Sequence, residues 1–440
     1  MTTLTSLRAG KLAGLQRLDL SAGLTQFPPE IYDLADSLEV LNLSGNALSS
    51  LPEDLPRLAR LRILFCSDNQ FEHLPEVLGA CPNLSMVGFK ANRIRHVPAA
   101  ALPPALRWLI LTDNAVENLP PELGRCTQLQ KLMLAGNRLS TLPEEMAACS
   151  NLELLRIAAN RLASLPDWLL KLPRLAWLAF AGNPFCDISE AAVLARHPIA
   201  PIPWEDLELT HQLGEGASGV IYHAQRRSAL KDLPDVAVKV FKGSITSDGL
   251  PGSEMDACIC AGRHPNLIPL EGRIFDHPDG ADGLVMSLID RSFHNLAGPP
   301  SLASCTRDTY APGTRFSPDA LLRIATGIAA AAAHLHDQGI LHGDLYGHNI
   351  LHNDKGDCLL GDFGAASFFV PEDRARAEAL QRLEVRAFGC LLEELLARCT
   401  APMHAPGPLR TLQARCVDEN STSRPLFHEI TKSLAALRLP

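Results

Sequence analysis

The sequence predicts an α/β multidomain protein in which a solenoid of short parallel strands precedes a second domain of mixed strands and helices. Three observations support this prediction. A motif of about 23 residues recurs between positions 15 and 183, a glycine-rich segment and a lysine-bearing apolar stretch follow it, and 440 residues exceed one ordinary core. We therefore expect a repeat domain over residues 1–200 and a second domain over residues 201–440.

Composition and charge narrow the classes of partner. Hydrophobic residues make up 46% of the chain and charged residues 20%, which is typical of globular proteins. The net charge of −9 argues against a general nucleic-acid binder, because phosphate backbones require a surplus of Lys and Arg. The longest apolar run, "IATGIAAAAAHLH", is too short to cross a bilayer and no signal-peptide pattern is present, so we expect a cytoplasmic protein without a membrane span. The twelve cysteines form no CxxC motif, which favours reduced thiols.

An asparagine recurs through the first half of the chain at almost constant spacing. The spacing is 23 residues except for one step of 22, at positions Asn46, Asn69, Asn92, Asn114, Asn137, Asn160 and Asn183. In a unit such as "LEVLNLSGNALSSLPEDLPRLAR", the first, fourth and sixth positions point inward from a short strand, and the Asn amide bonds neighbouring backbone groups. The pattern resembles the leucine-rich repeat and implies a horseshoe of about eight units. We expect residues 1–14 and 183–197 to cap its ends.

The strand positions between the inward leucines predict an interaction surface. These residues are apolar where a monomer usually exposes polar side chains: Val40, Ile63, Phe65, Met86, Trp108, Ile110, Met133, Leu154 and Trp177. A contiguous apolar column of this size favours binding of a protein partner. The alternatives are docking onto the second domain, docking onto a second copy as a homodimer, or a different strand register.

A glycine-rich segment opens the second domain after the proline-containing linker "HPIAPIPWEDLELTHQ". In "LGEGASGVIYHA", Gly214, Gly216 and Gly219 lie between two stretches that we predict to be strands. Without side chains at these positions, the backbone can lie close over phosphate groups.

Lys239 ends the apolar stretch "VAVK", about twenty residues after the glycine-rich segment. A lysine in a strand is usually solvated at a sheet edge, but here the ammonium can neutralise phosphates beneath the glycines. Its expected carboxylate partner is Glu254 on the next predicted helix, with Asp256 and Asp248 as alternatives.

The segment "HGDLYGHN", residues 342–349 and here called the Asp344 loop, places Asp344 five residues before Asn349. The triplet "DFG" begins at Asp362. With the glycine-rich segment and Lys239, this order of motifs resembles the protein kinase superfamily over residues 205–440, in a form without an Arg before the Asp. The resemblance implies two lobes, a small one over about 205–290 and a large one over about 291–440.

The resemblance also implies a role for each motif. It assigns ATP binding to Gly214, Gly216, Gly219, Val220, Lys239, Met286, Ser287 and Leu288, with Val220 packing on the adenine. Asp344 would be the catalytic base, assisted by Lys239 and Glu254. Asn349 and Asp362 would bind Mg²⁺, because this cation prefers carboxylate and amide oxygens.

Two departures from the family pattern concern regulation. Gly343 stands where many kinases have an Arg that binds a phosphorylated loop. Glu372 follows Asp362 by only ten residues, and Ser367 is the sole hydroxyl between them. We therefore predict no regulation by phosphorylation of this segment. Later in the chain, Glu372 is expected to form a buried structural ion pair with Arg424 of "STSRPLFHEI".

A third departure concerns the chemistry. Tyr346 stands where a serine/threonine kinase usually has a lysine near the transferred phosphate. We expect His348 to be a buried neutral imidazole, with a replacement cation as the alternative. We predict an ATP-dependent protein kinase, acting on serine or threonine with Mg²⁺, whose repeats bind protein partners. The alternatives are a pseudokinase or scaffold that binds without phosphotransfer, and an atypical phosphotransferase.

Overall fold

The computed structural model describes residues 3–186, 194, 197–216, 218–227, 234–243, 245–400 and 407–437. The chain divides into two compact units, Met1–Leu172 and Pro173–Pro440. This division falls before the last repeat rather than at residue 200, because the strand of that repeat packs with the second unit. The predicted boundary at 200 therefore does not coincide with the division between the compact units.

The first unit is a stack of short parallel strands after an N-terminal helix α1, Thr3–Arg8. Its strands are β1 Arg17–Asp19, β2 Val40–Asn42, β3 Ile63–Phe65, β4 Met86–Gly88, β5 Trp108–Ile110, β6 Lys131–Met133 and β7 Leu154–Arg156. Each strand pairs in parallel with the next, residue by residue along the repeat. Short 3₁₀ turns form the return side: Pro29–Leu34, Leu55–Arg57, Glu76–Ala80, Ala99–Ala101, Pro121–Arg125, Glu144–Ala148 and Leu169–Lys171.

The recurring asparagines form the predicted ladder. Asn69 accepts a hydrogen bond from Leu48 N at 2.9 Å through Oδ1, and its Nδ2 donates to Leu43 O and Cys66 O. Asn137 does the same with Val116 N, Leu111 O and Leu134 O in later units. Each of these amides thus satisfies buried backbone groups of its own and the preceding unit, which explains why asparagine recurs at this position.

The apolar column is less exposed than the sequence predicts. Ile63, Met86, Met133 and Leu154 are buried, and Val40, Phe65, Trp108 and Ile110 are half-buried. Adjacent strands lie about 4.8 Å apart, so large side chains cover one another. The Phe65 ring fills the space over Gly88, and the Lys131 ammonium lies 4.3 Å from the Trp108 ring centre. The prediction of an exposed column is therefore wrong, while partner binding stays a prediction.

The second unit begins with β8, Trp177–Ala179, and continues into a six-stranded sheet. The sheet contains β9 Pro201–Pro203, β10 Leu207–Glu215, β11 Gly219–Arg226, β12 Val236–Phe241, β13 Leu270–Phe275 and β14 Gly283–Ser287. Their order is β10-β11-β12-β14-β13-β9, antiparallel except for the β13–β9 pair. Helix α2, Pro251–Ala261, follows β12 and is buried along one side.

The rest of the second unit is mainly helical. Its helices are α3 Pro318–Asp337, α4 Arg374–Leu396, α5 Pro408–Cys416 and α6 Phe427–Ala435. Short strands are β15 His294–Asn295, β16 Ile340–Leu341, β17 Ile350–His352, β18 Cys358–Leu360 and β19 Ser367–Phe368. The alanine-rich run forms α3, whose Ser317 cap accepts from Ala320 N. Within the described ranges, no helix is long and apolar enough to cross a bilayer.

Glu384 of α4 anchors the Asp344 loop. It is 3% exposed, accepts a hydrogen bond from Gly343 N at 2.7 Å, and lies 2.7 Å from His336 Nε2. Burial opposes the carboxylate charge, but the hydrogen bond with His336, the charges of His336 and His342 and the Gly343 amide hold the pKa of Glu384 below its usual value. The carboxylate therefore stays ionised inside the protein.

Arg424 does not pair with Glu372, and the ion pair predicted from the sequence is wrong. Arg424 is 1% exposed, and its guanidinium donates to the carbonyls of Asp418, Arg382 and Pro173 at 2.9, 3.1 and 2.6 Å. Glu372 is exposed. Burial and the charge of Arg386 lower the pKa of Arg424 to about 10, which leaves it protonated at neutral pH. Backbone carbonyls have replaced the expected carboxylate.

Arg424→Met should lower the free energy of unfolding by roughly 2–4 kcal/mol, because buried carbonyls lose their donor. Glu372→Gln is the matched control and should change it by less than about 0.5 kcal/mol. Urea unfolding of the full chain measures both. If the two variants lowered the free energy of unfolding equally, the result would support the Glu372–Arg424 ion pair after all.

Glu384→Gln should reduce the acid sensitivity of folding. Because the pKa of Glu384 is lower in the folded chain than its ordinary 4.5, its stabilisation is complete above that pH and is lost as the pH falls. Below about pH 4.5, the free energy of unfolding of the wild type should therefore fall more steeply than that of the variant, by up to about 1.4 kcal/mol per pH unit. Unfolding curves at several pH values test this, and identical slopes would contradict it.

Candidate active site

A cavity of about 570 Å³ lies in the second unit where the glycine-rich segment, α2 and the Asp362 segment meet. Its lining includes Gly214, Gly216, Gly219, Lys239, Glu254, Met286 and Asp362. Seven residues singled out from sequence, on five different segments, therefore face one space. The cavity walls combine an apolar part, Leu213 and Leu284 among them, with a charged end.

Lys239 and Glu254 form an ion pair at the charged end. The Lys239 ammonium contacts Glu254 Oε1, and the two side chains are 13% and 2% exposed. Burial opposes the ammonium, but the charges of Glu254 and Asp362 raise the pKa of Lys239, which remains protonated. The structure thus selects Glu254 over Asp256, which lies elsewhere on α2, and over Asp248, which lines the cavity without being the partner of Lys239.

The glycine-rich segment connects β10 to β11. A Cβ on Gly219 would lie 2.6 Å from Val240 O and 3.3 Å from Lys239 Cε, so no side chain fits there. Ile221 lines the cavity, whereas Val220 is absent from its lining. Side chains alternate along a strand, and Gly219 and Ile221 share one face. The assignment of Val220 to the base-packing position is therefore wrong, and the motif read one residue further would have given Ile221.

The predicted adenine-contact segment is only partly in the cavity. Met286, on β14, lines it. Ser287 Oγ instead donates to Glu271 Oε1 at 2.7 Å, and Leu288 is 38% exposed. Side chains of these two residues do not form the described lining, so only their backbone groups remain available for the expected role.

The Asp344 loop is fixed by hydrogen bonds within itself and to the Asp362 segment. Asn349 Nδ2 donates to Asp344 Oδ2 at 2.8 Å and to Asp344 O at 2.9 Å. His342 is fully buried, accepts from Asp344 N at 3.3 Å and donates from Nε2 to Gly361 O at 2.9 Å. These bonds leave the Asn349 amide oxygen for other groups.

Asp362 adopts a left-handed backbone conformation with φ +55°. Its Oδ1 accepts from Gly364 N at 3.1 Å, and Gly361 N donates to Asn349 O at 2.9 Å, which brings the two segments together. Oxygens of Asp362 and Asn349 could together hold a hard cation. Among the residues that the structure describes, no cluster of three His, Cys, Asp or Glu side chains forms another metal site.

His348 belongs to a carboxylate network that the sequence did not reveal. Its Nδ1 lies 2.7 Å from Asp308 Oδ1, its backbone N donates to Asp308 Oδ2, and its Nε2 lies 4.0 Å from Asp344 Oδ2. Burial disfavours its positive charge, but the hydrogen bond and charge of Asp308, with Asp344 and Asp362, raise the pKa of His348. These carboxylates therefore shift the balance of His348 toward the imidazolium form, relative to an isolated imidazole. Asp308 carries no motif that could have identified it.

Gly343 has a steric reason to replace arginine. Its φ is +72°, and a Cβ there would lie 2.7 Å from Leu178 O and closer still to Ala365 O. Tyr346 is 4% exposed and stacks on Trp177 of β8. Trp177 was predicted to face a protein partner, but it is 1% exposed, and its packing on Tyr346 agrees with the alternative of docking onto the second domain.

Comparisons with known proteins agree with both halves of the chain. Residues 207–390 match the family described as protein tyrosine and serine/threonine kinase, and residues 127–185 and 37–58 match leucine-rich repeat families. A leucine-rich-repeat protein of Leptospira interrogans is 27% identical, with a TM-score of 0.35, over 42% of this chain and 53% of that one.

Two curated relatives illustrate the similarity. A probable serine/threonine-protein kinase of Arabidopsis thaliana is 30% identical over 30% of this chain and 25% of its own length. The serine/threonine-protein kinase PITSLRE of Drosophila melanogaster is 28% identical over 37% of this chain and 16% of its own length. The chain thus spans a quarter or less of the length of these two relatives. Residues 207–390 carry a protein kinase domain, and the chain joins leucine-rich repeats to it.

Proposed function

We propose that this chain is an ATP-dependent protein kinase that transfers the γ-phosphate to serine or threonine with Mg²⁺. The observation that carries the proposal is the Lys239–Glu254 ion pair, which faces one cavity together with the glycine-rich segment and Asp362. These groups come from separate segments, and their convergence costs a buried charge pair that packing alone does not require.

The cavity residues suit a nucleotide. The glycine-rich backbone over Lys239 would bind phosphates, because amide groups and an ammonium both stabilise negative charge. Ile221, Leu213 and Leu284, which line the cavity together with Met286, would pack on the base.

The oxygen donors fit a magnesium ion. Asp362 supplies a carboxylate and Asn349 an amide oxygen that its own hydrogen bonds leave free. The ion would neutralise charge on the phosphates. Asp344 would accept the proton of the attacking hydroxyl, and Asn349 Nδ2 holds its carboxylate in place.

Binding of a protein partner by the repeats remains part of the proposal. Phe65, Trp108 and Ile110 are half-buried, so part of each side chain is available on the strand face of the first unit. A pull-down with Trp108→Glu would measure their role. The cytoplasmic location and a homodimer stay sequence predictions.

Asp344→Asn should lower phosphate transfer by about 10²-fold or more, because the hydroxyl proton loses its acceptor. Nucleotide binding should change little, since Asp344 does not line the cavity. Transfer to a generic protein substrate and the nucleotide-dependent rise in melting temperature measure the two properties. A wild type that binds nucleotide and Mg²⁺ but transfers no phosphate would make the chain a pseudokinase and overturn the proposal.

Glu254→Gln should lower kcat/KM for ATP by roughly 10- to 100-fold, because Lys239 loses the charge that orients it. Asp256→Asn is the matched control on the same helix and should remain near wild type. Steady-state kinetics at varied ATP concentration test both variants. If both variants lost kcat/KM equally, the effect would come from a disturbance of helix α2 and not from loss of the Lys239–Glu254 ion pair.

A further inference from the structure

One side chain of the last repeat holds the Asp344 loop. Trp177 stacks on Tyr346 with ring centres 4.2 Å apart and planes 7° apart, and their exposures are 1% and 4%. The indole Nε1 also donates to Leu345 O at 3.1 Å. Trp177 thus binds the two residues that directly follow Asp344, one through its π face and the other through its only polar group.

The backbone beside Trp177 binds the segment after Asp362. Phe180 N and Ala181 N donate to Ser367 Oγ at 2.9 and 3.1 Å, and Ser367 is fully buried. The hydroxyl of Ser367 therefore serves as an acceptor for two amides. The hydroxyl is thus enclosed by protein on this side, while the absence of regulation by phosphorylation stays a prediction.

Two arginines bind the backbone just before this strand. Arg424 Nη2 donates to Pro173 O at 2.6 Å, and Arg386 Nε of α4 donates to Arg174 O at 3.1 Å. Residues 173–181, here called the last-repeat segment, are thus bound at both ends and in the middle. Backbone hydrogen bonds from buried donors give this contact a defined position that apolar packing alone would not.

We propose that the last-repeat segment positions the catalytic loop, with Trp177 as the positioning residue. It fixes Leu345 and Tyr346 and thereby sets the direction of the Asp344 carboxylate. The kinase domain then needs no phosphorylated loop, because a segment of the repeat array supplies the contacts that order the loop. This inference rests on the proposed kinase function.

The test uses the full chain and compares Trp177→Phe and Trp177→Ala with Trp204→Phe. Trp204 is a half-buried tryptophan of the same unit whose ring lies 4.2 Å from His277, away from the loop. Trp177→Phe keeps an aromatic face but loses the bond to Leu345 O. Steady-state kinetics give kcat and KM for ATP, and hydrogen exchange reports the protection of amides 343–349 against those of α3.

We expect kcat to fall about tenfold in Trp177→Ala and about threefold in Trp177→Phe, with KM for ATP changed less than twofold. Exchange in the loop should rise while α3 stays protected, and Trp204→Phe should match the wild type in both assays. This pattern separates positioning from a general loss of stability.

Two results would overturn the inference. One is wild-type kcat and loop exchange in both Trp177 variants. The other is a loss of protection that extends equally to α3 and accompanies a weaker affinity for ATP, which would make Trp177 an ordinary core residue. If the wild type transfers no phosphate, the proposed function fails, and the exchange experiment still decides whether Trp177 orders the loop.

Discussion

A buried carboxylate on α4 is the constraint on which the arrangement of the second unit depends. Glu384 binds the Gly343 amide on one side and His336 on the other, so the loop that carries Asp344 is tied to the longest helix of the unit. Burying a charge in this way costs several kcal/mol unless its oxygens are satisfied, and both are. The position of Asp344, and through it of Asn349, follows from this contact.

Regular spacing explains what the sequence predicted well. The asparagine ladder follows from a period of 23 residues, since each amide meets the equivalent backbone groups of its own and the preceding unit. The Lys239–Glu254 pair could be predicted because the two residues lie on a strand and on the helix that directly follows it along the chain. Val220 was misassigned by one position in a strand, where such a shift reverses the face on which a side chain lies.

Contacts between distant parts of the chain explain what the sequence missed. Trp177 was predicted as part of an interaction surface, but its partner Leu345 lies 168 residues away and no periodicity links the two. Asp308 meets His348 through a loop without a recognisable motif. Arg424 donates to backbone carbonyls and not to Glu372. A buried guanidinium needs hydrogen-bond acceptors, but these can be neutral carbonyls as well as carboxylates, and the sequence does not distinguish the two.

The division of the chain at residue 172 has a consequence for how such a protein could evolve. Repeat arrays usually lengthen or shorten by gain or loss of whole units, because each repeat contacts only the adjacent repeats. Here the last unit supplies the Pro173 carbonyl to Arg424 and two amides to Ser367. Deletions and duplications are therefore free only among the earlier repeats, and the final one is inherited together with the kinase domain as a single module.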